Sequence, residues 1–109
     1  MNRTFKEVES FTKKWQALGL TDEDLRRLGN VLLKDPKAGR VITGTGGLRK
    51  IRIPIEERGK RGGGRVLYVD VEVKETIYFV NVYAKNEKED LTEEEKKAFK
   101  TVIKILKEE

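Results

Sequence analysis

The stretch from residue 48 to residue 55 constrains the fold most, because its side chains alternate strictly between apolar and polar. Three isoleucines alternate with a lysine, an arginine and a proline: Ile51, Ile53 and Ile55 with Lys50, Arg52 and Pro54. Such alternation is typical of a half-buried strand, whose side chains point to opposite faces in turn. We therefore expect the isoleucines in a core, and Lys50 beside Arg52 on the open face.

The segment that follows this strand is rich in cations and glycines. It carries Arg58, Lys60, Arg61 and Arg65, spaced by Gly59 and by Gly62, Gly63 and Gly64. Across residues 49–65, the only carboxylates are Glu56 and Glu57. This clustering predicts a surface for a polyanion. The alternative is a charged face that contacts only solvent.

Composition narrows the chemistry that is available. The 109 residues predict one domain over 1–109, and the net charge of +5 favours an anionic partner such as nucleic acid. There is no cysteine and no histidine, so thiolate or imidazole zinc sites and Ser-His or Cys-His nucleophile pairs are excluded. No apolar run has the length of a signal peptide or a membrane span. We expect a cytoplasmic protein without a membrane partner.

Two helices are predicted before residue 36 and one at the end of the chain. Apolar residues recur at spacings of three and four over 8–18 and 25–32, and Trp15 is expected in the core. Capping-box patterns at Thr21 and Thr92 predict where the second and third helices begin. The short link between the first two predicts an antiparallel helical hairpin.

The sheet is predicted from three segments, 48–55, 65–73 and 76–84, of which the last two are dominated by β-branched and aromatic residues. Their short connections predict an antiparallel meander, with weaker strand signals at 3–6 and 41–42. The fold class is therefore α+β, with the helical hairpin packed on an antiparallel sheet and a C-terminal helix. Part of the other sheet face is expected to remain for function. The tyrosines are expected in the core or in sheet pairs: Tyr68, Tyr78 and Tyr83.

Glycines at 44, 46 and 47 suggest a phosphate loop, but no Gly-Lys-Ser/Thr follows them. A tight turn that needs positive φ is the preferred interpretation.

Several runs with this joint spacing resemble the RelE superfamily, and more narrowly the HigB-like branch of type II toxins. They are Asp35-Pro36-Lys37-Ala38-Gly39, residues 41–52, residues 59–68, and Tyr83-Ala84-Lys85-Asn86-Glu87 with Glu89-Asp90-Leu91-Thr92. The resemblance covers roughly residues 20–100. It implies the RelE-like fold and a ribosome-dependent endoribonuclease that cuts mRNA in the ribosomal A site. It also implies a cognate antitoxin, often a helix-turn-helix protein of the HigA kind, and no cofactor.

Family positions fall on four cations of this chain. The paired basic residues of the first long strand correspond to Lys50 and Arg52, the arginine that opens the next strand to Arg65, and the basic position after the last strand to Lys85 or Asn86. Some relatives have arginine at Asn86 and tyrosine near Thr92. These departures leave the general acid unassigned.

The four cations suit metal-independent cleavage by the RNA 2′-hydroxyl. Crowding by like charges favours a neutral lysine, so Lys50 is the candidate base. Guanidinium groups bind phosphate oxygens bidentately, so Arg52 and Arg65 would hold the scissile phosphate. Lys85 would be a second phosphate contact or a proton donor. RNA-backbone contacts are predicted for the remaining set: Arg49, Arg58, Lys60, Arg61 and Asn86.

The sequence leaves three functional hypotheses open. The first is an mRNA-cleaving toxin, and the second a toxin of the same fold that inhibits a protein such as DNA gyrase. The third is a passive RNA-binding module. A solvated strand face is the alternative for Lys50 and Arg52, and a structural salt bridge is the alternative for Arg65.

Overall fold

The computed structural model describes residues 2–55, 62–88 and 90–109. Three helices and five strands follow one another along the chain. In order they are β1 (Thr4–Glu7), α1 (Glu9–Ala17), α2 (Asp22–Lys34), β2 (Arg40–Val41), β3 (Arg49–Ile53), β4 (Gly64–Val71), β5 (Thr76–Ala84) and α3 (Glu93–Glu108). The predicted α+β class is confirmed, and strand bounds differ from the prediction by one or two residues.

The strands form one sheet in the order β1-β5-β4-β3-β2. The three long strands β3, β4 and β5 pair antiparallel, as the meander prediction required. β1 lies parallel to β5 at one edge, so the sheet is mixed, a feature that the sequence analysis did not specify. A register shift between Leu67 and Tyr68 interrupts the β4–β5 ladder.

The helical hairpin covers one face of the sheet. Its aromatic and aliphatic side chains pack on the inward residues of β3, β4 and β5, and Phe11 and Leu32 are fully buried. Trp15 is in this core, as predicted, and its indole N–H donates to the carbonyl of Thr21 at 3.0 Å. Ile53 and Ile55 are buried on this side and Ile51 packs against it, so the strand alternation was interpreted correctly.

The other face is covered in part by α3. Ile103 and Leu106 of α3 pack with Leu67, Val69 and other residues of β4 and β5. The predicted capping boxes form at Thr21 and Thr92, each with its hydroxyl accepting from the backbone N–H three residues later. Among the described residues, no helix is long and apolar enough to cross a membrane.

Candidate functional site

A row of three side chains crosses the sheet on the face opposite the helical hairpin. Arg52 on β3 lies directly opposite Arg65 on β4, and Arg65 lies directly opposite Tyr83 on β5. Directly opposed residues of antiparallel strands share a face and have Cβ atoms about 5 Å apart. The fold therefore brings two predicted site residues into contact range and adds a tyrosine that the sequence analysis assigned only to packing.

Like charges directly opposite each other destabilise a sheet. Within the described residues, no carboxylate forms an ion pair with Arg52 or Arg65. An anion placed between the two guanidinium groups would remove this repulsion, and a phosphate has the oxygen geometry to do so. The pair is therefore a candidate anion site.

Arg65 is held in place by backbone carbonyls. Its Nη1 donates to the oxygens of Gly62 at 2.9 Å and Gly64 at 3.0 Å, and the residue is only 9% exposed. These contacts position the guanidinium without neutralising it. Arg65 thus orders the start of β4, and its role at a phosphate stays a prediction. The salt bridge considered as its alternative is not found among the described residues.

Lys50 lies on the same face of β3 as Arg52, two residues away and therefore about 7 Å along the strand. Its Nζ lies 3.7 Å from Oδ1 of Asp90, and its side chain is 28% exposed. Asp90 is 85% exposed, so this ion pair is weak and is readily displaced by another anion. Lys50 is therefore partly accessible to a ligand, and its role as a base stays a prediction.

Lys85 joins this group through the glycine turn. A Cβ built on Gly62 would lie 2.9 Å from Cδ of Lys85 and 3.8 Å from its Nζ. Since Arg65 binds the carbonyl of the same glycine, Lys85 and Arg65 flank one backbone segment. We call Lys50, Arg52, Arg65 and Lys85 the basic cluster.

The turn beneath the basic cluster depends on Gly63. Its φ is +64°, and a Cβ there would lie 2.2 Å from the carbonyl oxygen of Ile53. Its own carbonyl accepts from the backbone N–H of Lys85 at 3.0 Å. Any side chain at this position would separate the end of β3 from β5 and move the cations apart.

Tyr83 is the feature that sequence reasoning missed. The residue is 7% exposed, and within the described part of the chain its hydroxyl has no hydrogen-bond partner. Burial raises the pKa of Tyr83, the charge of Arg65 acts to lower it, and Asp90 and Glu95 raise it further. A protonated phenol therefore lies beside the basic cluster with an unused donor.

The other predicted RNA contacts are distributed differently. Arg49 lies opposite Tyr68, on the face of the helical hairpin, where its Nη1 donates to the carbonyls of Gly39 and Lys37. The fold does not bring it to the basic cluster. Asn86 is exposed in the turn after β5. Three further predicted contacts lie outside the described residues: Arg58, Lys60 and Arg61.

Two of the sequence runs have structural roles. The hydroxyl of Tyr68 accepts from the N–H of Gly39 at 2.8 Å and donates to the carbonyl of Pro36 at 2.9 Å, which fixes the connector after α2. The segment 44–47 is a turn with positive φ at its glycines, as predicted. Its Thr45 is fully buried and bonds to Ile42 and Leu48.

Comparison with known proteins gives a family. The model of the family described as "RelE toxin of RelE / RelB toxin-antitoxin system" matches residues 2–109. A double arginine-to-alanine mutant of E. coli RelE in the free state is 20% identical, with a TM-score of 0.57, over 82% of this chain and 90% of that one.

Two other solved structures are similar. The toxin in the intact E. coli RelBE toxin–antitoxin complex is 20% identical, with a TM-score of 0.56, over 77% of this chain and 96% of that chain. The isolated E. coli RelE toxin in its P21 crystal form is 18% identical, with a TM-score of 0.56. The match covers 97% of this chain and 99% of that chain. At such identities these structures support the fold.

Proposed function

Because the chain belongs to the RelE toxin family, we propose that it is a toxin that cleaves mRNA on the translating ribosome, with the basic cluster as its active site. The observation that carries this proposal is the cross-strand pair of Arg52 and Arg65, with Lys50 on the same sheet face. A passive RNA binder needs cations spread along a backbone, whereas cations on neighbouring positions of two paired strands suit one phosphate.

The reaction follows from what these residues can do. Lys50 is the proposed base that takes the proton of the 2′-hydroxyl, and the 2′-oxygen attacks the adjacent phosphorus. The bond to the 5′-oxygen breaks and that oxygen gains a proton, which leaves a 2′,3′-cyclic phosphate and a 5′-hydroxyl end. Arg52 and Arg65 stabilise the charge that develops on the phosphate, which is usually the largest catalytic contribution.

The reaction is proposed to need no metal ion. The basic cluster repels a divalent cation, and guanidinium groups already supply the charge that a metal would otherwise provide. In the described parts of the chain, no three carboxylates lie close enough together to hold one.

A cognate antitoxin is the second expected partner. The similar E. coli toxin is found in a complex with RelB, and this chain is proposed to be held inactive by its own antitoxin. The sequence runs favour a HigB-like toxin with a helix-turn-helix, HigA-like antitoxin. Action on ribosomes places the toxin in the cytoplasm, and its net charge of +5 assists approach to ribosomal RNA.

The deciding experiment is a reconstituted translation reaction with one defined mRNA. Purified toxin is added, and both the positions and the chemistry of the new mRNA ends are mapped. Cuts in register with codons, which end in cyclic phosphate and need translating ribosomes, support the proposal. Intact mRNA together with inhibited DNA supercoiling would favour the gyrase-inhibitor reading, and protection of RNA without cuts would favour the passive binder.

Substitutions connect this activity to the basic cluster. Lys50→Ala and Arg52→Ala remove single, partly or fully exposed cations, so they should reduce cleavage at least tenfold without reducing stability. Lys104→Ala is the matched control, because Lys104 is an exposed lysine on α3 and carries the same charge. Equal losses in all three variants would mean that net charge, and not the basic cluster, determines the activity.

A further inference from the structure

The hydroxyl of Tyr83 is exceptional because it is buried and has no hydrogen-bond partner in the part of the chain that the structure describes. Nearly all buried polar atoms of proteins form hydrogen bonds, and an unmade bond is costly. Among the described side chains that are not exposed, the Tyr83 hydroxyl is the only buried polar group without a hydrogen-bond partner. By contrast, the buried hydroxyl of Tyr68 both accepts and donates. Such an isolated donor at a candidate site indicates a group whose partner arrives with the ligand.

The surroundings of this hydroxyl indicate what that ligand is. Tyr83 lies directly opposite Arg65 on the same sheet face, so the phenol and the guanidinium point into one space. Both are hydrogen-bond donors when the phenol is protonated, and neither satisfies the other. A ligand that satisfies both must offer oxygen acceptors and negative charge, which a phosphate does.

We propose that the hydroxyl of Tyr83 donates a hydrogen bond to an oxygen of the phosphate that Arg65 binds, which makes Tyr83 a substrate-contacting residue of the site. That this phosphate is the scissile one rests on the proposed function. No proton is transferred in this role. Burial keeps the pKa of Tyr83 above its ordinary value, so the phenol remains a donor throughout the neutral range.

Asp90 is a charged neighbour of both Lys50 and Tyr83. This carboxylate lies 3.7 Å from Lys50 and acts on Tyr83 electrostatically. An incoming phosphate replaces Asp90 as the partner of Lys50 and reaches the phenol in the same step. The exchange substitutes a ligand oxygen for a carboxylate that is mostly in solvent, and therefore costs little.

Tyr83→Phe tests the proposal, since it removes the oxygen and keeps the ring in the core. Cleavage of ribosome-bound mRNA should slow at least tenfold in single-turnover reactions at saturating toxin, as expected for the loss of a hydrogen bond to a charged group. Because the lost hydroxyl has no partner in the free protein, the melting temperature should stay equal or rise. Cleavage at the wild-type rate would overturn the proposal.

Tyr68→Phe is the matched control, with the same atom removed from a hydroxyl that is bonded within the protein. It should melt earlier and, once folded, cleave at the wild-type rate. If Tyr83→Phe loses activity only in proportion to a loss of stability, its hydroxyl is structural and the proposal fails.

A second readout does not depend on cleavage. The protein has three tyrosines, so ring-labelled tyrosine gives three NMR signals, which Tyr83→Phe and Tyr68→Phe assign. Titration with inorganic phosphate should shift the Tyr83 signal and leave that of Tyr68 in place. Absence of a phosphate-dependent shift at Tyr83 overturns the inference. If the wild-type protein cuts no mRNA, the proposed function fails, while this titration still decides whether Tyr83 binds phosphate.

Discussion

Tyr68→Phe should be among the most destabilising conservative changes in this protein. The ring is fully buried, and its hydroxyl bonds to the N–H of Gly39 and the carbonyl of Pro36 in a buried site. A Cβ on Gly39 would lie 2.7 Å from the tyrosine ring, so the connector is packed tightly against it. Phenylalanine fills the ring's space but leaves both backbone groups without their partner.

The magnitude follows from those two groups. A buried donor or acceptor that loses its partner costs about 1–3 kcal/mol, and two of them cost roughly 2–4 kcal/mol after partial relaxation. Domains of this size are stable by about 5–15 kcal/mol. Since a change of 1 kcal/mol shifts the melting temperature of a domain of about 100 residues by roughly 4 °C, we expect a decrease of about 8–16 °C.

Urea denaturation followed by tryptophan fluorescence measures this change, because the chain has one tryptophan and Trp15 is buried in the same core. The midpoint should fall while the slope with denaturant stays constant. Tyr83→Phe is the comparison, and its midpoint should not fall. A Tyr68→Phe variant within about 0.5 kcal/mol of the wild type would refute the reasoning, because that is the range of surface substitutions.

Three further predictions concern the site and its support. Gly63→Ala should destabilise the fold by roughly 2–4 kcal/mol, measured by the same denaturation, because positive φ and the clash with a backbone carbonyl add together. Arg49→Ala should reduce stability slightly and leave cleavage unchanged. Reduced cleavage at full stability would instead support the RNA contact that was predicted for Arg49. Asp90→Asn should strengthen phosphate binding by about two- to threefold through the release of Lys50, and weaker binding would contradict the exchange proposed above.

The elements of the fold were predictable because their signals are local. Periodicity marked the helices, capping boxes marked where two of them begin, and the alternation around Ile53 identified both faces of β3. These patterns depend on a few residues each and on backbone geometry that tertiary packing does not override here. The pairing of β1 with β5 was not predictable in the same way, because a parallel edge contact joins residues far apart in sequence.

The sequence of β5 does not show which of its side chains face the helical hairpin and which face the other side of the sheet. All nine residues of this strand are buried, so no alternation distinguishes its faces. The register shift opposite Leu67 and Tyr68 then exchanges the positions of β5 that face each side of the sheet. As a result Tyr78 and Tyr83, five residues apart, face the same side of the sheet. The pairing register of β4 and β5 is needed to show that Tyr83 lies next to Arg65 and faces away from the helical hairpin.

The cations were recognisable as a group because Lys50 and Arg52 alternate with the isoleucines, but their convergence depends on the pairing of β3 with β4. A shift of that register by two residues would place Arg52 opposite a residue other than Arg65 and separate the two guanidinium groups. The glycines before Arg65 prevent such a shift, since Gly63 closes against Ile53 with no room for a side chain. The run of glycines and cations that predicted a surface for a polyanion thus includes a glycine that fixes the register.

In the basic cluster, the features that favour an anionic ligand are the same ones that lower the stability of the free protein. Within the described residues of the free protein, two arginines face each other, a buried phenol lacks a partner, and Lys50 pairs with an exposed carboxylate. Each of these features is unfavourable or weak without an anion, and under the proposed function one phosphate would improve all three. Those interactions that strengthen as charge develops on the phosphate during cleavage would then accelerate the reaction. If phosphate raised the melting temperature no more than chloride did at equal ionic strength, this link between unfavourable contacts in the free protein and anion binding would not hold.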